Sequence, residues 1–148
     1  MNVQELGHLV LYVRDLERSR RFYGEVLGWR EVGRLGEAGV MYSSGRTHHE
    51  LLLLQVGEEA AAVPQGRRLG LYHFGLKIGE SDQELRDAKA RLEAEGVRIV
   101  GKADHGVTHS LYILDPDGNE VELYIDVQPA VWRERPEAVA APTRPLEL

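Results

Sequence analysis

Two histidines and one glutamate, His8, His73 and Glu122, are the residues of this chain whose types and places suit metal chemistry: 65 positions separate the histidines and 49 more reach the carboxylate. Two imidazoles and one carboxylate make a facial triad, which grips one side of a divalent metal and leaves other positions open for substrate and dioxygen. A single histidine on a strand is more often a hydrogen-bonded structural residue than a ligand. These three rise above that reading because the chain repeats itself and puts both histidines in equivalent places.

The first copy, LGHLVLYVRDLERSRRFYGEVLGWREVG, runs in parallel with LYHFGLKIGESDQELRDAKARLEAEGVRIVG, and His8 overlays His73. The second halves align as GVMYSSGRTHHELLLLQ on HSLYILDPDGNEVELYI, which sets Tyr42 on Tyr112, Glu50 on Glu120 and Leu52 on Glu122. Each copy reads as strand, helix and three strands. The expectation is an α+β domain over residues 1–126, with two βαβββ modules, about 5–58 and 70–126, forming one open, curved, mixed sheet. About 60 residues bury too little surface to stand alone, so the two modules need each other.

Local signals place the elements. Leu6 to Val13 is the first strand, Asp15 is an N-cap, and the following helix ends at Leu27 with Gly28 in the left-handed C′ position. Ser81 with Glu84 forms a capping box for a helix whose apolar positions are Leu85, Ala88 and Leu92, and Gly96 ends it. Asp115-Pro-Asp-Gly-Asn119 is a turn between strands. After Asp126 the mixture of Pro, Ala and Arg has no period, and residues 127–148 read as an extended tail. In the last strand Val121, Leu123 and Ile125 share the face that packs under helices, and Glu120, Glu122 and Tyr124 share the other. His8 keeps company with Val10 and Tyr12, and His73 with Gly75 and Lys77. Glu50 and Glu120 read as solvated rim residues.

Composition narrows the classes. The chain has no cysteine, so metal ligands must be histidine, carboxylate or water. A formal net charge of −6 with no basic stripe argues against nucleic acid. No apolar run approaches the roughly 20 residues of a spanning helix, and the N-terminus has no signal-peptide pattern. A soluble, cytoplasmic protein is expected.

The stretches GHLVLYVRDLERSRRFYGEVLG, HHELLLLQ, LYHFGLKI and DHGVTHSLYILDPDGNEVELYID resemble the vicinal oxygen chelate superfamily of glyoxalases, bleomycin-resistance proteins and extradiol dioxygenases, over about residues 5 to 126. Within it they look like extradiol ring-cleaving dioxygenases of the catechol 2,3-dioxygenase kind. The resemblance implies that His8, His73 and Glu122 hold the metal, Fe(II) first and Mn(II) or Zn(II) otherwise. It implies that His49 is the acid/base group, that Tyr112 is an active-site tyrosine, and that His105 hydrogen-bonds the substrate oxygen, with His109 as the alternative. Simple alternation from Leu52 turns His48 rather than His49 to the concave face, unless the strand opens with a bulge. The implied partners are a small aromatic diol and O2, in a homodimer.

Leu52 also separates activities. Glyoxalase I enzymes fill all four pseudo-symmetric ligand places, and here one of the four is an apolar side chain. A fosfomycin-resistance type of enzyme uses two histidines and one glutamate, but needs cations for a phosphonate, and Lys77 is the evident one on the concave face. A non-catalytic drug-binding protein is the reading of another class, and such proteins usually lack the triad.

Overall fold

A computed structural model describes all 148 residues, which fall into two compact units, 1–63 and 64–148. The first unit runs β1 (Leu9–Val13), α1 (Leu16–Arg20), a π-wound continuation (Arg21–Val26), β2 (Glu31–Leu35), β3 (Gly39–Tyr42) and β4 (Leu51–Gln55). Its four strands lie in the order β1-β4-β3-β2, with β1 parallel to β4 and the others antiparallel. The second unit runs β5 (His73–Gly79), α2 (Asp82–Ala94), β6 (Ile99–Asp104), β7 (Thr108–Leu114) and β8 (Glu120–Asp126), then α3 (Pro129–Glu134), a 3-10 turn (Pro136–Ala140) and β9 (Arg144–Pro145). Its strand order is β5-β8-β7-β6-β9. Both expected βαβββ modules are present, and their hydrogen-bonded ladders form two mixed sheets, one in each unit.

The helices start where the caps put them. Asp15, in extended backbone, accepts the Arg18 N–H at 2.9 Å, and the Gln55 side chain accepts the Leu16 N–H at 2.8 Å, tying the helix start to the end of β4. Helix α1 widens in its second half, where the Leu27 N–H reaches back five residues to the Phe22 carbonyl at 2.9 Å. That winding keeps Phe22, Tyr23 and Val26 buried along with Leu16 and Ser19. Glu84 accepts from the Ser81 hydroxyl at 2.7 Å and from the Glu80 N–H at 2.9 Å, and Leu85 and Leu92 anchor α2 on the sheet.

The registers of the two modules test the repeat. Val10 pairs with Leu52 as Gly75 pairs with Glu122, so the parallel strand pair is the same in both copies. The hairpin is not in the same step. Tyr42 pairs with Leu51, whereas Tyr112 pairs with Glu122. By register, Met41 occupies the place of Tyr112 and Tyr42 the place of Ile113, because the chain from Tyr42 to its partner Leu51 is one residue longer than the chain from Ile113 to its partner Val121. Tyr42 is accordingly a core residue, 1% exposed.

The segment after Asp126 folds. Beyond α3 and the 3-10 turn it returns as β9, antiparallel to β6, with Ala103 opposite Pro145 and Asp104 opposite Arg144, and it buries Leu146. Pairing covers what would otherwise be an open edge of β6. No helix is long and apolar enough to cross a membrane.

Candidate functional site

Alternation along β8 sends Val121, Leu123 and Ile125 into the core and Glu120, Glu122 and Tyr124 to the opposite face. On one side β5 sets His73 beside Glu120 and Gly75 beside Glu122. On the other, β7 sets Tyr112 beside Glu122 and Ser110 beside Tyr124. Gly75 leaves room for this cluster: a Cβ there would lie 3.3 Å from the Tyr124 ring and 3.6 Å from the Glu122 carboxylate.

The two oxygens of Glu122 have different partners. Oε1 accepts the Ser110 hydroxyl at 2.6 Å and the Tyr112 hydroxyl at 3.2 Å. Oε2 lies 3.2 Å from Nε2 of His73. His105 stands behind Tyr112, with Nε2 at 2.9 Å from the phenol oxygen and Nδ1 at 3.1 Å from the Thr143 hydroxyl. A carboxylate is the stronger acceptor, so Tyr112 donates its O–H to Glu122 in a hydrogen bond, His105 donates from Nε2 to the phenol, and Nδ1 accepts from Thr143. Burial, and next the charge of Glu122, push the Tyr112 phenol well above its ordinary range, which keeps it a proton donor.

In the first unit three imidazoles gather. His8 directly precedes β1, and His48 and His49 lie in the loop before β4. The His8 ring centre is 4.5 Å from that of His49 and 6.0 Å from that of His48, and the Nδ1 atoms of His48 and His49 are 2.6 Å apart. Because both histidines precede the strand, its alternation does not orient them, and both rings turn to His8. Desolvation lowers the pKa of His49, helped by His48 and His8, so its neutral, proton-accepting form is favoured.

Arg46 holds this group together. It bonds Glu50 at 3.0 Å, Glu5 at 3.1 Å and the carbonyls of Leu6 and Gly7 at 3.1 and 3.2 Å, tying the approach to β1 to the histidine loop. Glu50, expected at a solvated rim, is instead a loop anchor. It accepts from Ser43, from both the backbone and hydroxyl of Ser44, and from Arg46, and its side chain is 14% exposed.

The second unit thus brings together His73, Glu122, Tyr112 and His105, and the first brings His8 together with His49 and His48. His109 points elsewhere: its Nδ1 is 2.6 Å from Asp82 at the start of α2, so His105 is the histidine at Tyr112. Sequence reasoning missed Ser110, which strand alternation could have found, since it lies two residues before Tyr112. It also missed Arg46 and Thr143, for which no periodic signal exists.

Cations are present too. A cleft of about 560 Å³ in the second unit is lined by Arg67, Arg68, Tyr72, Leu114 and Glu120 among others. The Tyr72 ring meets His73 edge-on at 4.6 Å, which joins this cleft to the His73–Glu122 pair. Lys77, the cation expected on this face, is occupied by Asp126 at 2.7 Å and Glu80 at 2.8 Å.

The donors fit a divalent ion in two respects, although no set of three is already gathered at metal-site spacing. Two ligands each about 2.1 Å from a common ion, at roughly a right angle, stand about 3 Å apart, close to the 3.2 Å between His73 Nε2 and Glu122 Oε2. The outer contacts also suit ligands: Ser110 and Tyr112 orient the carboxylate, and the buried Nδ1 of His73, with no hydrogen-bond partner, faces Glu120 at 3.6 Å.

Residues 5–123 match the Glyoxalase/Bleomycin resistance protein/Dioxygenase superfamily model. The chain is 35% identical to the catechol-2,3-dioxygenase of Bacillus subtilis over 86% of its own length, spanning 44% of that relative. It is 31% identical to the glutathione transferase FosA of Serratia marcescens, over 92% of this chain and 93% of the relative. A glyoxalase/dioxygenase structure from Nostoc punctiforme shares the fold, with a TM-score of 0.69 and 21% identity over 85% of this chain and 93% of that one.

Proposed function

We propose, for a chain that belongs to the Glyoxalase/Bleomycin resistance protein/Dioxygenase superfamily, the function of an extradiol dioxygenase that opens the ring of an aromatic vicinal diol with O2, both oxygen atoms entering the product. The observation that carries this reading is the proton-handling line from His105 through Tyr112 to Glu122, beside His73. His8, His73 and Glu122 would hold a divalent ion, Fe(II) first, with Mn(II) or Zn(II) as other occupants. When bound, the metal supplies a Lewis acid and a redox centre where diol and dioxygen meet.

The side chains do the rest. His49, kept neutral by desolvation and its imidazole neighbours, accepts a proton from the diol. Tyr112, kept protonated, donates its one O–H to the Glu122 carboxylate and never competes as an anion. His105 orients that phenol from behind. Leu52 pairs with Val10 where Glu122 pairs with Gly75, which removes the fourth carboxylate that a glyoxalase I arrangement needs. A homodimer belongs to the same proposal and is tested by sedimentation equilibrium.

A second reading is thiol transfer to a phosphonate epoxide. Arg67 and Arg68 favour it, since they supply cations in the cleft next to His73, and so does the match to FosA along nearly the whole of both chains. The test is protein loaded anaerobically with Fe(II), with oxygen uptake and the yellow ring-opened product followed together across a panel of catechols. The His49→Ala variant should retain metal and lose about 100- to 10,000-fold in rate, with His48→Ala milder. Full loading that gives neither signal, with turnover of a fosfomycin-type epoxide or a hemithioacetal instead, defeats the dioxygenase reading.

A further inference from the structure

We propose that the C-terminal segment is part of the site, with Thr143 as a positioning residue that holds His105 against Tyr112. This rests on the site proposed above but not on which reaction occurs there. His105 opens the turn between β6 and β7, and the segment after β8 closes over that turn from several directions. The Val127 N–H donates to the Val107 carbonyl at 3.0 Å. Gly106, at φ +82°, has Ala141 directly above it, so close that a Cβ at position 106 would lie 3.2 Å from the alanine methyl. Strand β9 then pairs Arg144 with Asp104 and Pro145 with Ala103, the residues immediately before His105, and Leu146 is buried.

Thr143 lies one residue before β9, and these anchors determine where its hydroxyl goes. It meets Nδ1 of His105 at 3.1 Å while Nε2 of the same ring meets Tyr112 at 2.9 Å. The His105 backbone is fixed by its own N–H on the Thr108 carbonyl at 2.9 Å, and its partly exposed side chain has a hydrogen-bond partner at each ring nitrogen. Two hydrogen bonds at opposite ring nitrogens are therefore what fix its plane and tautomer. Without the hydroxyl, Nδ1 faces water and the ring keeps a single restraint, at Tyr112.

The test compares Thr143→Val, which keeps the shape and removes the hydroxyl, with Thr143→Ser, which restores it. Ring nitrogen resonances of His105 in metal-free protein are the readout that does not depend on activity. The valine variant should shift them and the serine variant should return them to the wild-type positions. In turnover with whichever substrate the enzyme accepts, valine should lower kcat roughly two- to twelvefold with little change in KM, as loss of one ordinary hydrogen bond implies, and serine should recover it. Unchanged His105 resonances in Thr143→Val overturn the proposal, and so does a serine variant that behaves like valine. Shifted resonances without any turnover on catechols leave Thr143 in this role and count against the dioxygenase reading alone.

Discussion

Replacing Ser110 with alanine should weaken metal binding far more than it weakens the fold. Ser110 is fully buried on β7, and its hydroxyl makes the shorter of the two hydrogen bonds to Oε1 of Glu122, 2.6 Å against 3.2 Å from Tyr112. A hydrogen bond to a charged acceptor contributes about 1.5–3 kcal/mol. At about 1.4 kcal/mol per decade, its loss corresponds to roughly ten- to hundredfold in affinity, the range seen when a ligand's outer contacts are removed. The folded state loses less, about 1 kcal/mol, because Tyr112 still serves the carboxylate and alanine fills the strand position without strain. Chelator competition with Zn(II) and Fe(II) measures the first quantity and urea denaturation of metal-free protein the second. Tyr112→Phe, which removes the longer bond, should be the milder variant in the same titration. If Ser110→Ala binds metal like the wild type while Tyr112→Phe does not, Glu122 does not act through an Oε2 oriented by Ser110.

Replacing any of His8, His73 or Glu122 with alanine should lower metal affinity sharply, and stoichiometric binding by His73→Ala in a chelator-free titration would remove it from the ligand set. Asp115→Ala should cost about 2–4 kcal/mol in chemical denaturation, because this buried carboxylate accepts the N–H groups of Asp117 and Asn119 and the Asn119 side-chain amide; a loss below about 0.5 kcal/mol would mean the turn holds without it. Burial raises the Glu31 carboxyl, but hydrogen bonds from Arg34 and Arg20 outweigh this and leave it below its ordinary 4.5. Its contribution is thus present above that value and lost as pH falls through the depressed one, so Glu31→Gln should flatten the acid limb of a stability–pH curve, and an unchanged limb would contradict the assignment. Arg46→Ala should loosen the three-histidine group, seen as altered His8 and His49 ring resonances; unchanged resonances would show that β1 and β4 position the rings without it.

What was legible in the sequence is what repeats with a short period or twice along the chain. Asp15, Ser81 and Glu84 announce their helix starts because capping uses fixed offsets, and the alternation of Val121, Leu123 and Ile125 orients Glu122 without any knowledge of the partner strands. The repeat gave the βαβββ order of each module. It failed by one residue at the hairpin, where two tyrosines at similar places suggested an equivalence that the registers deny: Tyr42 packs into the core and Tyr112 faces Glu122. The tail was opaque because neither α3 nor β9 is long enough to print a period, and β9 forms by pairing with β6, a contact between distant parts of the chain. Arg46 acts through several long-range hydrogen bonds and Thr143 through one, and such contacts leave no pattern in the residues around them.

The same registers explain why one module carries a carboxylate and the other does not. Glu122 is flanked by Gly75 on β5 and by Tyr112 on β7, with Ser110 two residues along, so it has space on one side and two hydroxyl donors on the other. The matching neighbours of Leu52 are Val10 and Met41, and Ser110 corresponds to Gly39, which pairs with Leu54 as Ser110 pairs with Tyr124. None of Val10, Met41 and Gly39 offers a side-chain donor. A glutamate at 52 would gain a charge with nothing to orient it, next to a valine side chain where Glu122 has a glycine. An unoriented carboxylate in such surroundings keeps its solvation cost and makes a poor ligand. The asymmetry therefore lies in the whole environment of position 52, and substituting that residue alone does not turn a three-ligand arrangement into a four-ligand one.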